Sequence, residues 1–242
     1  MKIVAIIPSR YGSTRFSGKP LARIKGKFMI ERVYERALSS HQVNQVVVAT
    51  DDRRIYDAVA AFGGHAVMTS ADSRSGTDRV AEAAELLRLD MEDVVVNIQG
   101  DQPLIHPDCI SEVTGPLTAE PEVSMTTLAF KIVNPVEITN PKDVKVTFDV
   151  RGNALYFSRA TIPFARDPGA VCDVYKHLGI YAYPRRFLEI FRHLPDGVLE
   201  QIEKLEQLRA MEYGYPIRVV VTSHDSPEVD VKEDIARIEA AL

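Results

Sequence analysis

The side chains of this sequence that could do chemistry fall into a few short clusters. The first is Pro8–Pro20, where Arg10, Arg15 and Lys19 stand among hydroxyl residues, including Ser13, and the glycines Gly12 and Gly18. Such a set can hold phosphate oxygens by charge-assisted hydrogen bonds, with glycines that let backbone approach closely. It matches neither the GxxxxGK[ST] phosphate loop nor the GxGxxG dinucleotide turn. Three further clusters are Asp51, Ser75-Gly76-Thr77-Asp78-Arg79 and Gln99-Gly100-Asp101. Asp101, after an apolar run and a glycine, suits a divalent cation; magnesium favours one or two carboxylates plus substrate phosphates. The same placement also suits a helix cap or a turn, and the residues alone leave both open. Asp230, in Glu228-Val229-Asp230, offers a second carboxylate, and Gln99 a hydrogen bond to a neutral polar group.

A second group lies later in the chain: Tyr156-Phe157-Ser158-Arg159, then Lys176 to Tyr183. If the latter is a strand, His177, Gly179, Tyr181 and Tyr183 share one face, which fits a binding wall or ordinary packing. In Glu203–Arg209 the spacing is helical, with Leu205 and Leu208 inward and Glu206 and Gln207 readable as solvated.

Elements that could position these residues are visible in the pattern. Ile3–Ile7, Val46–Thr50, Ala66–Thr69 and Val94–Ile98 are short apolar runs of the kind found in buried parallel strands. Helical patterns at 29–38, from Asp52 through Phe62 and at 77–87 alternate with them, so the first hundred residues read as βαβ units with a parallel sheet covered on both faces. In such sheets ligands bind beyond the carboxyl ends of the strands, where the four clusters fall. Past residue 120 the strand-like runs 123–132, 144–150, 154–158 and 179–183 have fewer helices between them, which predicts a mixed sheet or a β-rich insertion. Helices are expected at 185–193, 199–213 and 232–242, with a last strand at 217–222. The chain reads as one compact α/β domain over 1–242, with a β-rich portion at about 120–185.

Composition bounds the function. The chain has 242 residues, 45% of them hydrophobic, and a net charge of −5, which excludes a general nucleic-acid binder. Residues 1–30 carry seven basic and no acidic side chains, so the remainder carries −12. A local positive field in an acidic protein points to an anionic ligand, or to a plain solvated basic face. No apolar run of roughly 18 residues suggests membrane insertion, and Met1–Pro8 is too short for a secretory signal. Cys109 and Cys172 lie far apart and outside metal spacing, so a reducing cytoplasm is the expected compartment.

The combination IIPSRYGSTRFSGKPL, VATDD, SGTDR, NIQGDQPLI, ALYFSRATIPF, YKHLGIYAY and EKLEQLR resembles the 3-deoxy-manno-octulosonate (Kdo) cytidylyltransferases, from Ile3 to Asp230. That resemblance implies a Rossmann-like nucleotide-sugar transferase fold, with a mostly parallel central sheet and a smaller mixed-sheet portion. It implies transfer of CMP from CTP to a Kdo-type sugar acid for lipopolysaccharide synthesis, Mg2+ as cofactor, and a homodimer. It further implies roles by position. Arg10 and Lys19 match triphosphate ligands, with Ser13 in the same loop. Asp51, Ser75, Gly76 and Arg79 match a cytidine pocket, and Asp101 and Asp230 the magnesium carboxylates, with Gln99 beside them. Arg159, His177, Tyr181, Glu206 and Gln207, together with Gln99, match a sugar-acid pocket, where the Arg159 fork suits a carboxylate. Departures are Ser17 and Phe28 where the family usually has Pro, and Val231-Lys232 within a VDTPEDL-like ending. The short segment between Arg166 and Lys176, and Gln102 where Glu is frequent, resemble a subgroup acting on the 8-amino analogue. The substituent at C8 of the sugar therefore stays open.

Overall fold

A computed structural model describes residues 1–12, 16–167, 169 and 172–242. Its centre is a twisted sheet that begins at β1 (Ile3–Ser9). Along β1, Val4 and Ile6 enter one core while Ala5 and Ile7 enter another, so a single apolar run supplies both faces. A small hairpin, β2 (Arg23–Ile24) with β3 (Lys27–Phe28), and helix α1 (Met29–Leu38) follow. Strand β4 (Gln45–Thr50) then pairs parallel to β1. Asp52 starts α2 (Arg53–Ala61) as expected, accepting from Arg54 N at 2.9 Å; such caps contribute about 1 kcal/mol. After β5 (Ala66–Met68), Ser75 caps α3 (Gly76–Leu86) and leads by way of β6 (Val94–Ile98) to α4 (Pro107–Ala119).

The second half continues the same sheet. Strand β7 (Thr126–Lys131), the short α5 (Pro135–Thr139), and strands β8 (Lys145–Phe148), β9 (Ala154–Ser158) and β10 (Tyr175–Pro184) come next. Helices α6 (Arg185–His193), α7 (Val198–Glu203) and α8 (Gln207–Glu212), strand β11 (Arg218–Thr222) and helix α9 (Asp234–Ala240) complete the order. Across the sheet the strands run β11-β7-β10-β6-β1-β4-β5, with β8 and β9 extending from β10. In that row β10 alone is antiparallel to its neighbours among the described residues. The strands expected to form a mixed sheet or an insertion are therefore part of the central sheet.

Helices α3, α6 and α8 cover one face, packing Val80, Phe187, Phe191 and Leu208. Helices α1, α2 and α4 cover the other with Ile30, Val33, Ile55 and Val113. A third, smaller core joins Ile24 and Met29 to Val229 and Ile238. It fastens the segment carrying Asp230 to the turn after the first loop. Two features differ from the sequence pattern. The helix expected over 199–213 is two, because Lys204 adopts a left-handed conformation (φ 55°) that ends α7. Strand β10 carries an irregularity against β7 between Leu178 and Tyr181, which sets Gly179 at the edge of the cleft. No helix among the described residues is long and apolar enough to cross a membrane.

Candidate active site

The carboxyl ends of β1 and β6 and the start of α3 enclose a cavity of about 300 Å3. Its wall includes Arg10, Lys19, Ser75, Gly76, Arg79, Gln99 and Asp101. Lys19 reaches it from a single 3-10 turn, Lys19–Leu21, that begins at Gly18. Gly18 sits at φ 71°, and a Cβ there would stand 3.1 Å from the Tyr11 ring, so both conformation and space require glycine. The Lys19 ammonium donates to Asp101 Oδ2 at 2.6 Å and to Val229 O at 3.0 Å. One of its three protons is left for an anion in the cavity. Arg10 is exposed at the same wall.

Arg79 is held differently. It is 5% exposed and donates to Asp51 at 2.9 Å and to Thr69 Oγ1. Asp51 thus pairs with Arg79 and does not itself form the wall. Ser75 Oγ accepts from Asp78 N and donates to Glu206. Burial pushes the Glu206 carboxyl up, and its hydroxyl partners Ser75 and Thr77 oppose that shift.

A second cavity of about 470 Å3 lies beyond Asp230, lined by Lys142, Arg159, Lys176, His177, Gly179 and Glu228 among others. The Arg159 guanidinium is partly committed, donating to the carbonyls of Glu203 at 2.8 Å and Pro141 at 3.0 Å. Lys176 is buried between Glu137 and Asp225, at 2.8 and 2.9 Å. His177 packs between Phe157 and Tyr181, and burial lowers it to about 3, so the ring is neutral. Thr127 spends its one proton on Ile180 O at 2.7 Å. His177 Nε2 therefore donates to Thr127 Oγ1 at 2.9 Å, leaving Nδ1 as an acceptor.

The two cavities meet where Gly179 faces Gln99, Gln102 and Glu228; a Cβ there would stand 3.4–3.5 Å from all three. Val229 N donates to Asp101 O at 3.0 Å, which brings the Asp101 and Asp230 segments side by side. Burial, then the Asp101 charge, pushes Glu228 up to about 7, with Asp230 adding and Gln102 and Lys19 opposing. Because Glu228 is exposed to the cavity, the repulsion is the firmer cause. Hard carboxylate oxygens in excess of nearby positive charge are the donor set a magnesium ion takes. The residues fit that ion.

The first loop, the start of α3 and the end of β6 thus converge as expected, and Arg159, His177 and Asp230 line the larger cavity. Tyr181, Glu206 and Gln207 lie off its wall: Tyr181 is 9% exposed beside His177, and Glu206 faces Ser75. Gln207 is buried with Nε2 lacking a partner. Ser13 lies outside the described residues. Sequence reasoning missed Arg74, which lines the smaller cavity, and Glu228, two residues before Asp230 and so on the same side of an extended segment. Away from the cleft, His106, Asp108 and His224 bring donor atoms within 4.8 Å. The two imidazoles stack in parallel planes 3.8 Å apart, so their in-plane lone pairs do not converge on one ion.

Comparison with known proteins places this geometry. The family model for cytidylyltransferases matches residues 4–225. The chain belongs to the cytidylyltransferase family. It is 64% identical over 242 residues, all of this chain and 98% of the relative, to a 3-deoxy-manno-octulosonate cytidylyltransferase of Desulfosudis oleivorans. It is 54% identical over 243 residues, covering all of this chain and 99% of the relative, to an 8-amino-3,8-dideoxy-manno-octulosonate cytidylyltransferase of Shewanella frigidimarina. A solved CMP:2-keto-3-deoxy-manno-octonic acid synthetase complexed with CTP superposes with a TM-score of 0.93 at 42% identity. That match covers all of this chain and 98% of the other. As a cytidylyltransferase this chain is an α/β nucleotidyltransferase with a mostly parallel sheet, as the strand pattern implies.

Proposed function

We propose that this enzyme transfers CMP from CTP to 3-deoxy-D-manno-octulosonate, giving CMP-Kdo and pyrophosphate for lipopolysaccharide synthesis. The observation that carries the reading is the meeting of a basic, nucleotide-sized cavity, which holds the Lys19–Asp101 pair, with a larger polar one where Gly179 faces Gln99. The names of the Desulfosudis relative and of the solved CTP complex support it. CTP occupies the smaller cavity, with its triphosphate toward Arg10 and Lys19, Ser13 contributing from the same loop, and its nucleoside toward Ser75, Gly76 and Arg79. The sugar acid occupies the larger cavity near Arg159 and His177, whose neutral ring offers Nδ1 as an acceptor. The anomeric hydroxyl oxygen forms a bond to the α-phosphorus, and the bond from that phosphorus to the bridging oxygen breaks. Pyrophosphate leaves with the electron pair, and the hydroxyl proton passes to water.

Little covalent work falls to the protein, so its contribution is placement and charge neutralisation. Lys19 and Arg10 neutralise the phosphates and the charge that grows on the leaving pyrophosphate. Asp101 and Asp230 would hold Mg2+, which supplies Lewis-acid polarisation of phosphoryl oxygens when bound. The portion at 120–185 contributes the sugar cavity and a homodimer surface within one catalytic domain, and the enzyme acts in the cytoplasm.

A second reading keeps the reaction and changes the sugar to the 8-amino analogue. It is favoured by the acids around the larger cavity, Glu137, Asp143, Asp225 and Asp234, which would welcome an ammonium, and by Gln102, buried against Glu228. Pyrophosphate release with CTP and Mg2+, measured side by side with Kdo, its 8-amino analogue and no sugar, separates the two. Faster turnover of Kdo supports the first reading; preference for the analogue replaces it with the second. Faster turnover of UTP or ATP overturns the base assignment.

A further inference from the structure

The wall of the larger cavity formed by residues 134–143 has little apolar anchorage. Helix α5 contributes no buried residue, and Val133 and Val136 are 76% and 70% exposed. The segment nevertheless supplies Glu137, Asn140, Lys142 and Asp143 to the cavity. Its second half is a turn, Asn140-Pro141-Lys142-Asp143, closed by Asp143 N donating to Asn140 O at 3.2 Å. Asparagine at the first position and proline at the second suit such a turn. A segment with few buried apolar contacts opens easily unless other bonds tie it to the rest of the fold.

Those bonds run from side chains of the sheet to main-chain carbonyls of the wall. Lys145, 0% exposed at the start of β8, donates from Nζ to Asn140 O at 2.8 Å and to Asp143 O. Arg159 donates to Pro141 O at 3.0 Å, and Thr161 to Ile138 O at 2.9 Å. Lys176, directly opposite Lys145 across the β8–β10 pair, ties Glu137 to Asp225. Among the described residues Lys145 alone holds two of these carbonyls, the first and the last of the turn. Burial pulls its amine below the ordinary value, and the Asp143 charge opposes that shift. An ammonium offers three N–H groups and a neutral amine two, so both bonds stand in either form. Burying such a group is costly unless its donors are met, and here the turn meets them.

We propose that Lys145 is a positioning residue for the sugar acid, acting from beneath the wall: it holds the 140–143 turn and so sets where Asn140, Lys142 and Asp143 stand in the larger cavity. This rests on the cytidylyltransferase reaction proposed above, with the sugar acid in that cavity. Lys142 follows Pro141, which Arg159 holds, so the turn also fixes the spacing of two cations that a carboxylate can meet. Without Nζ the two carbonyls lose their partner and reach water by swinging the turn outward. The smaller cavity contains no residue of this segment, so the nucleotide is unaffected.

Lys145→Met tests this, because it removes Nζ and keeps an unbranched apolar stem. Steady-state constants are measured with Mg2+ saturating, for CTP and for Kdo or its 8-amino analogue, whichever the wild type turns over faster. Thermal unfolding and amide hydrogen exchange are followed alongside. The expected result is a rise of about tenfold in the KM for the sugar acid, with that for CTP within about threefold of wild type. Exchange should quicken in residues 134–143 and stay unchanged elsewhere. A merely structural defect would lower the active fraction, hence kcat, and leave both KM values unchanged. An unchanged sugar KM, or equal rises for both substrates, overturns the inference. Should Lys145→Met not fold, Pro141→Gly loosens the same turn from its exposed side and should raise the sugar KM alone. A wild-type sugar KM there overturns the inference. A wild type that turns over neither sugar would overturn the proposed reaction; unchanged exchange in Lys145→Met would separately overturn the tether.

Discussion

The two cavities are built in opposite ways. The smaller is made where successive parallel strands end, from residues that follow β1, β6 and the start of α3 in chain order. Its cations, Arg10, Lys19, Arg74 and Arg79, face one carboxylate, Asp101. The larger is assembled from α5, the segment before β8, the antiparallel strand β10 and the run before α9. There Lys142, Arg159, Lys176 and Arg237 are set among six acids, Glu137, Asp143, Asp225, Glu228, Asp230 and Asp234. A cavity with a single-sign excess suits a polyanion such as a triphosphate. A mixed cavity suits a neutral polyol carrying one carboxylate, where orientation depends on individual hydrogen bonds.

The largest effect that sharpens this contrast belongs at the junction. Asp101→Asn should lower kcat by about 100-fold or more with saturating Mg2+, the scale for removing a charge from a preorganised site. Its melting curve should stay near wild type, since the Lys19–Asp101 pair is only partly buried at the open cleft and asparagine keeps an oxygen that accepts from Lys19. Near-native turnover in that variant would remove the metal role assigned to Asp101.

A smaller effect separates the cavities by pH. Burial holds His177 neutral down to about 3, while in the unfolded chain it titrates near its ordinary value of about 6.5. Between those values the unfolded state binds the extra proton, so stability falls as pH drops from about 6.5 toward 3, and His177 adds nothing above that window. Thermal melts at pH 8 and pH 5 should therefore show a smaller acid loss for His177→Gln than for the wild type. An equal loss in both would mean that the ring is hydrated in the folded protein.

The same contrast explains how much is legible in the sequence. The smaller cavity is legible because a parallel sheet collects its strand ends at one edge, so chain order alone brings Arg10, Ser75 and Asp101 together. Pairings across long separations leave no local sign. Ser75 meets Glu206 131 residues away, and Arg79 meets Asp51 across 28. Helix α4 is also obscured, since Gly115 and Pro116 interrupt its pattern and its cap is a histidine. Lys204 carries nothing in its type that announces a left-handed residue, so the helical pattern runs through it without a break. The residues of the larger cavity are identifiable by resemblance. Their distribution, with Arg159 and His177 on the wall and Tyr181, Glu206 and Gln207 behind it, emerges only with tertiary packing.

The central claim is that the smaller cavity takes the nucleotide and the larger the sugar acid. It is tested most directly by the KM for CTP and for Kdo in Arg10→Ala and Arg159→Gln, with Mg2+ saturating. The account predicts that Arg10→Ala raises the KM for CTP by about tenfold and leaves that for Kdo within about threefold. Arg159→Gln should do the reverse. If both variants raise the KM of the same substrate, the division of the cleft into a nucleotide cavity and a sugar cavity is wrong.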